Sequence, residues 1–209
     1  MIKAVIFDWS GVLCDDFEAV YSGDMAVFEA FGLPRVSAEE YRRIVELPWQ
    51  DFYKKMGVTD IKKISAVFRK AVTGQDNVRP APGALEALRE LHGKGLKIAV
   101  LSAKSQDFLL KESREFGFER FISFVETHFD KRDGVNGLVE KLGAEKSEVV
   151  FVGDMVHDIE TARHGGIKSV AVLSGHNTRE RLLRAKPDYC IESVKELPLL
   201  IEEINGEMA

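Results

Sequence analysis

The fold is decided by the stretch Ile2-Lys3-Ala4-Val5-Ile6-Phe7-Asp8-Trp9-Ser10-Gly11-Val12-Leu13, in which an apolar run ends at a carboxylate. Residues 2–7 are nearly all apolar and several are β-branched, which is typical of a strand buried on both faces of a parallel sheet. Gly11 can adopt backbone angles that let the following loop curl around a small ligand. The stretch predicts a buried strand that delivers Asp8 to a sheet edge, although a D-x-x-G sequence alone is equally well explained as a strand-to-turn cap.

Similar apolar runs recur along the chain, and helical periodicity separates them. The runs are residues 96–101, 121–125, 149–152 and 169–173, and the periodic segments between them are 84–92, 108–116, 135–142 and 159–164. Strands that alternate with helices predict an α/β fold with a doubly wound parallel sheet and right-handed crossovers. Ligands of such sheets bind beyond the carboxyl ends of the strands.

One long segment breaks this alternation. Between residues 14 and 79 the sequence has no convincing strand, and helical periodicity covers 17–31, 38–46, 49–56 and 61–72. We therefore predict two domains: an α/β core formed by residues 1–13 and 81–209, and a small helical domain formed by residues 14–80.

Composition narrows the functional class. The chain has 209 residues, 45% hydrophobic and 30% charged, with a net charge of −5. Because no stretch is densely basic, we expect no nucleic-acid partner. No apolar run approaches the roughly 18 residues of a membrane span, so we expect no membrane association and a cytoplasmic location. Cys14 and Cys190 are too few for a disulfide framework or a metal cluster. A monomer or a homodimer is equally compatible with the sequence.

Two polar residues lie where later strands are predicted to end. Ser102 closes the run 97–101, and its hydroxyl with the following backbone N–H groups suits phosphate oxygens. Taken alone, Ser102 is equally well explained as the cap of the next helix, after Ala103. Lys131 precedes another predicted helix and could neutralise a carboxylate and a phosphoryl group together, although an isolated lysine in a loop is usually solvated.

A pair of carboxylates follows the strand at 149–152. In Gly153-Asp154-Met155-Val156-His157-Asp158 the two acids are four residues apart. Mg²⁺ prefers hard oxygen ligands and commonly uses one or two carboxylates. Asp158 could instead complement the dipole of the following helix. Burying both acids near Asp8 without a cation would be costly, so we favour a metal site.

The ordered set Asp8, Ser102, Lys131 and Gly153-Asp154-x-x-x-Asp158, with a helical insertion after the first member, resembles the haloacid dehalogenase superfamily from about residue 2 to residue 191. The segments Ser174-Gly175-His176-Asn177-Thr178-Arg179-Glu180 and Lys186-Pro187-Asp188-Tyr189 also look familial. The resemblance implies a Rossmann-like core with the insertion as a helical cap over the active site.

The resemblance also implies roles for individual residues. Asp8 would be the nucleophile that forms an aspartyl-phosphate, with Ser10 and Lys131 as further catalytic positions. The phosphoryl group would be bound by Asp8, Gly11, Ser102, Ala103 and Lys131, and Mg²⁺ would be held by Asp8, the backbone carbonyl of Ser10, Asp154 and, in support, Asp158. The implied activity is that of a Mg²⁺-dependent phosphatase, a phosphoric monoester hydrolase acting on a small phosphorylated metabolite.

Ser10 departs from the family pattern, because phosphatases of this family usually have a second aspartate there as proton donor and base. Such help is worth roughly 10²–10⁴-fold in rate. The candidate substitutes are Asp15, Asp16, His128 and His157. Asp15 or Asp16 is more simply explained as the cap of the following helix.

Two alternatives to the phosphatase stay open at this stage. The sequence around Ser10 also resembles the phosphonatase branch, which uses a cap lysine as a Schiff base; Lys54 and Lys55 are in the expected region. A phosphate-binding or phospho-switch protein without turnover is the second alternative. Substrate specificity is expected from the insertion, with the candidates Tyr21, Trp49, Gln50, Tyr53 and Lys54.

Overall fold

The computed structural model describes residues 1–74 and 77–207 and contains eight strands in this part of the chain. The strands are β1 (Ala4–Phe7), β2 (Cys14–Asp15), β3 (Arg79–Pro80), β4 (Lys97–Ser102), β5 (Phe124–Thr127), β6 (Val149–Gly153), β7 (Lys168–Val172) and β8 (Tyr189–Ile191). Six of them form one sheet in the order β5-β4-β1-β6-β7-β8. All neighbouring pairs in this sheet are parallel, which confirms the predicted α/β fold.

Ten α-helices accompany these strands in the described ranges. They are α1 (Phe17–Ala30), α2 (Ala38–Ile44), α3 (Trp49–Lys55), α4 (Ile61–Val72), α5 (Ala84–Gly93), α6 (Gln106–Glu115), α7 (Arg132–Leu142), α8 (Val156–Gly165), α9 (Arg179–Arg184) and α10 (Leu197–Glu207). No helix of residues 1–74 and 77–207 has the length and apolar character needed to cross a membrane.

Successive residues of β1 face opposite sides of the sheet and enter two different hydrophobic clusters. Val5 and Phe7 pack in a cluster that includes residues of α5 and α10. Ala4 and Ile6 pack in a second cluster, which includes residues of α7. A strand covered on both faces needs apolar side chains at every position, which explains the uninterrupted run in the sequence.

The register of the sheet determines where the strand-end residues meet. Phe7 of β1 is opposite Val100 of β4 on one side and Val152 of β6 on the other. Asp8 therefore emerges between the carboxyl ends of β4 and β6, at the point where the strand order reverses. Ligands of open α/β sheets bind in this position.

The prediction from sequence differs from the structure at several strands and helices. The run 121–125 predicts a strand, but the strand begins at Phe124, because Phe121 buries its ring from a turn rather than from the sheet. The edge strand β8 and the helices α9 and α10 were not predicted. The strand β8 has three residues and a mixed burial pattern, so its periodicity is too short to recognise.

Helices α1–α4 follow β1 and form a cluster of their own. Phe28, Tyr41, Phe52 and Ile64 belong to a hydrophobic cluster distinct from the two that flank the sheet. The ends of this segment are joined by an antiparallel ladder in which Cys14 pairs with Pro80, so the expectation of no strand between residues 14 and 79 is wrong for β2 and the start of β3. The division into a core domain and a helical domain stays a prediction, and this cluster favours it.

Candidate active site

Asp8 follows β1 directly and is almost fully buried. Its backbone N–H donates to the carbonyl of Val152 at 2.8 Å, which continues the register of the sheet. Its Oδ1 accepts a hydrogen bond from the backbone N–H of Trp9 at 2.6 Å, and its Oδ2 lies 2.7 Å from Lys131 Nζ. The side chain is therefore fixed in orientation before any ligand binds.

Lys131 immediately precedes α7 and has no exposed side-chain area. Its Nζ lies 2.7 Å from Asp8 Oδ2 and 2.6 Å from Asp158 Oδ1. Burial by itself lowers the pKa of this ammonium, but the charges of Asp158 and Asp8 outweigh burial and raise it. The alternative of a solvated loop lysine is wrong, and Lys131 is a permanent cation between two carboxylates.

Asp158 organises the start of α8 as well as binding Lys131. Its Oδ2 accepts hydrogen bonds from the backbone N–H groups of Asp154 at 3.1 Å and Met155 at 2.9 Å. Burial raises the pKa of Asp158 to about 7. Asp158 therefore caps the start of α8 and supports Lys131, whose Nζ donates to its Oδ1 at 2.6 Å.

Asp154 is different, because one of its oxygens is unused. Its Oδ2 accepts from the backbone N–H of His176 and lies 2.9 Å from His176 Nδ1. Its Oδ1 is buried and has no hydrogen-bond partner among the described residues. A Cβ at Gly11 or at Gly175 would lie 2.1 Å from Asp154 Oδ2, so both positions require glycine. At Gly11 the backbone is also left-handed, with φ of 75°.

Asp8, Asp154 and Asp158 each offer an oxygen within 4.8 Å of the other two. We call these three residues, together with Lys131, the carboxylate floor. Burial raises the pKa of Asp8 despite the adjacent Lys131, and the charge of Asp154 raises it further. One ammonium cannot balance three buried carboxylates, and hard oxygen donors with an unpartnered Asp154 Oδ1 fit a divalent cation.

Ser10 leads into a second polar group that sequence reasoning largely missed. Its hydroxyl donates to Asp16 Oδ2 at 2.7 Å, and the Lys104 ammonium lies 3.0 Å from the same oxygen. Lys104 also lies 2.7 Å from Glu112 Oε1. Asp16 occupies the N-cap position of α1 but makes no side-chain capping bond, so the capping explanation is wrong for it. Lys104 has no sequence signal, because its role depends on contacts distant along the chain.

Asp16 is held as a carboxylate. Burial by itself raises its pKa, but the charges of Lys104 and His176 and the hydroxyl of Ser10 lower it below the ordinary value. His176 is also buried, and the sequence indicated it only as part of a segment that looks familial. Burial lowers its pKa, whereas the charge of Asp154 and the hydrogen bond to it raise the pKa above the ordinary value. The His176 ring lies between the two acids, with Nδ1 2.9 Å from Asp154 and Nε2 3.8 Å from Asp16.

Ser102 is buried at the end of β4, and its Oγ accepts from the backbone N–H of Lys104 at 3.2 Å. The next helix begins only at Gln106 and has Ser105 at its N-cap, so the capping explanation for Ser102 is wrong. Five of the residues predicted from sequence line one cavity of about 720 Å³: Asp8, Ser10, Ser102, Ala103 and Lys131.

The other candidates separate into those on this cavity and those away from it. Asp16 and His128 line it. Asp15 instead pairs with Arg79 at 2.9 Å, and His157 accepts a hydrogen bond from the backbone N–H of Lys131. Burial and then Lys131 lower the pKa of His157 to about 3, so its ring is neutral.

Only some of the specificity residues predicted in the helical segment line the cavity. Trp49 and Tyr53 line the cavity, whereas Tyr21 and Gln50 do not. Lys54 and Lys55 line a separate pocket that contains Pro48 and Arg132, and Lys55 forms an ion pair with Glu46.

The structure thus combines an open α/β sheet with a buried carboxylate cluster at the point where the strand order reverses. Residues 5–172 match the haloacid dehalogenase-like hydrolase family, and the chain belongs to that family. The recognition from sequence is therefore confirmed, and so is the prediction that the chain is an enzyme of the hydrolase class.

Relatives and solved structures agree with this assignment. The chain is 25% identical to a pyrophosphatase of Halalkalibacterium halodurans, over 94% of this chain and 95% of that protein. It is 26% identical to a phosphoglycolate phosphatase of Synechococcus elongatus, with the same coverage. A hydrolase from Pseudomonas syringae superposes with a TM-score of 0.83 at 22% identity, covering 97% of this chain and 99% of that one.

Proposed function

We propose that this protein is a Mg²⁺-dependent phosphatase that hydrolyses phosphomonoesters through an aspartyl-phosphate on Asp8. The observation that carries the proposal is the carboxylate floor itself. Asp8 is buried at the base of a cavity, is fixed by Trp9 and Lys131, and lies beside the unpartnered Oδ1 of Asp154. Relatives named as a pyrophosphatase and a phosphoglycolate phosphatase support phosphoryl transfer as the reaction.

The residues that would hold Mg²⁺ are Asp8, the backbone carbonyl of Ser10 and Asp154. Asp158 would act in support, because its oxygens already bind Lys131 and the start of α8. When bound, the ion supplies positive charge that neutralises the carboxylates and the phosphoryl oxygens.

Individual residues of the protein would then take separate roles in the two chemical steps. A carboxylate oxygen of Asp8 forms a bond to phosphorus while the ester P–O bond breaks and the alcohol leaves. Lys131, Ser102 and the backbone after it would orient the phosphoryl oxygens. Water next attacks phosphorus, breaking the bond to Asp8 and releasing inorganic phosphate.

The leaving alcohol receives little proton donation in this site. Asp16 is the carboxyl nearest to Ser10, and Lys104, His176 and Ser10 keep it ionised. A carboxylate without a proton can act as a base but not as an acid. We therefore propose that substrates with acidic leaving groups react fastest.

The phosphonatase alternative is disfavoured by the positions of the lysines. Lys54 and Lys55 do not line the cavity of Asp8, and the two lysines that do, Lys104 and Lys131, are ion-paired with carboxylates. Burial lowers the pKa of Lys104, but Asp16 outweighs burial and raises it, so its amine is not free to form a Schiff base.

Phosphate release from acetyl phosphate and phenyl phosphate, measured with and without Mg²⁺, tests this function. We expect phosphate release to depend on Mg²⁺. Mass spectrometry should also show an acid-stable phosphoryl group on the peptide that contains Asp8. Turnover without a phosphorylated Asp8 would contradict the covalent mechanism. Trapping of phosphonoacetaldehyde on Lys54 or Lys55 by borohydride would favour the phosphonatase instead. A small phosphorylated metabolite as partner, a monomeric or homodimeric state and a cytoplasmic location stay predictions.

A further inference from the structure

The cavity above Asp8 has a polar base and apolar sides. Its sides include residues of α1, α3 and α4, which we call the cavity wall: Val20, Trp49, Phe52, Ile64, Phe68 and Val72. The opposite side, from the sheet domain, adds Phe108 and Phe129. Trp49 meets Phe129 edge to face across the cavity, with ring centroids 5.6 Å apart. The space available to the organic part of a substrate is therefore bounded mainly by apolar surface.

Cations that could bind a second anionic group are committed elsewhere. Among the described residues that line the cavity, the lysines and arginines are Arg69, Lys104 and Lys131. Lys131 is held by Asp8 and Asp158, and Lys104 by Asp16 and Glu112. Arg69 is at the exposed rim, with 57% of its side chain accessible, and lies 3.4 Å from Asp107.

A second phosphate or a carboxylate on the substrate would therefore lose its water without gaining a free cation. The lining also contains Asp24, Glu46, Glu112 and Asp133, which would repel it. Burial of an unpaired anion is costly. Pyrophosphate and phosphoglycolate each carry such a second anionic group, so the lining of this cavity does not suit them.

A cationic substrate group is disfavoured for a separate reason. Asp24 is the buried acid of the helical segment, and the hydroxyls of Tyr41 and Tyr53 donate to its two oxygens. Both carboxylate oxygens of Asp24 are therefore occupied as acceptors, and burial raises its pKa to about 6. A choline or amino group entering the cavity would have to displace these two hydroxyls to reach Asp24.

We infer that the substrate is a phosphate monoester whose organic group is uncharged and apolar. The inference rests on the proposed phosphatase activity and assigns its substrate class. A cavity of about 720 Å³ is in the range of roughly 300–1,000 Å³ that encloses drug-sized ligands. Phe129 is 61% exposed, and its ring would be covered by such a group.

A series of n-alkyl phosphates from ethyl to octyl phosphate tests the inference. The leaving alcohols have nearly equal acidity, so kcat/KM reports contact with the cavity wall. Each buried methylene should raise kcat/KM about fourfold until the cavity is filled. We expect hexyl phosphate, with four more methylenes, to exceed ethyl phosphate by roughly 250-fold when all four are buried. Phosphoglycolate, pyrophosphate and phosphocholine should be no better than ethyl phosphate.

Two matched variants separate the effect of the apolar cavity lining from general effects on the protein. Phe129→Ala removes a 61% exposed aromatic side chain that lines the cavity, and Leu199→Ala removes an equally exposed side chain of α10 that does not. Phe129→Ala should lower kcat/KM for hexyl phosphate about tenfold more than it lowers kcat/KM for acetyl phosphate. Leu199→Ala should change neither.

The outcomes distinguish this inference from the proposed function. A flat alkyl series, or best activity on phosphoglycolate, pyrophosphate or phosphocholine, would overturn the inference while the phosphatase stands. Acetyl phosphate is small and activated, so its turnover does not depend on the wall. If acetyl phosphate neither phosphorylates Asp8 nor releases phosphate, the proposed function fails and the inference fails with it.

Discussion

Asp8 and Lys131 of the carboxylate floor line the same cavity as the cavity wall, but the floor and the wall are stabilised by different kinds of interaction. The floor is formed by charged groups at the ends of buried strands, each held by two or more contacts. The wall is formed by apolar side chains of the helical segment, which pack without directional bonds. Changes in the floor should therefore affect every substrate, whereas changes in the wall should affect discrimination between substrates.

The largest expected effect is in the floor. Asp8→Asn keeps the shape and the hydrogen bond from Trp9 but removes the nucleophile, so kcat should fall by roughly 10⁴-fold or more for all phosphate esters. The control is Asp51→Asn, an exposed acid of α3 outside this cavity, which should retain activity. Full activity of Asp8→Asn, with unchanged circular dichroism, would eliminate the covalent mechanism.

The metal provides the second test of the floor. Asp154→Asn should weaken Mg²⁺ binding roughly 100-fold, because the free Oδ1 of Asp154 is the oxygen open to a cation. Asp158→Asn should weaken it only about tenfold, because Asp158 already binds Lys131 and two backbone N–H groups.

Isothermal titration of Mg²⁺ into each variant gives the comparison without depending on activity. Circular dichroism would check that Asp158→Asn retains the start of α8. A larger loss of affinity in Asp158→Asn than in Asp154→Asn would reverse the assignment of the two acids.

A third test concerns Asp24, the buried acid beside the cavity wall, and asks whether folding raises its pKa. The raised pKa of Asp24, about 6 against an ordinary value near 4, means that the folded state favours its neutral form. Its contribution to stability is fully present below about pH 4 and is lost as the pH rises through 6. Tyr41, Tyr53 and the more distant charge of His176 are the groups that act on it.

Asp24→Asn mimics the neutral form at every pH. The melting temperature of this variant relative to wild type should therefore rise between pH 4 and pH 7, corresponding to about 2 kcal/mol. Glu29→Gln, on an exposed position of the same helix, is the control. A constant difference in melting temperature would mean that folding does not raise the pKa of Asp24.

The two regions also differ in what the sequence could predict. Recognisable strand ends precede or include four residues of the site: Asp8, Ser102, Asp154 and Asp158. The sequence alone therefore predicts that these residues lie close together. The ion pairs of Lys104 with Asp16 and Glu112 join residues 88 and 8 positions apart through the tertiary fold, and no local pattern encodes them. Helical periodicity indicated apolar faces in the insertion, but it could not separate the side chains that line the cavity from those buried within the helices.

The smallest effect concerns Ser10, two residues after Asp8, where the chain departs from the family pattern. Its hydroxyl donates to Asp16, which is already ionised, so the leaving alcohol has no good proton donor. Phenyl phosphate, with its acidic leaving group, should therefore be favoured over butyl phosphate, a substrate of comparable bulk.

Ser10→Asp would place a second carboxyl beside Asp16, and like-charge repulsion would raise the pKa of one of them. A proton retained there near neutral pH would assist the alkyl leaving group, so the preference for phenyl phosphate should fall about tenfold. Ser10→Asn, of similar size but without an acidic proton, should leave the preference unchanged. The ratio of kcat/KM for the two esters, at saturating Mg²⁺, gives the result. If Ser10→Asp and Ser10→Asn have the same ratio as wild type while both bind Mg²⁺ normally, another residue already protonates the leaving group, and Ser10 does not mark a missing acid.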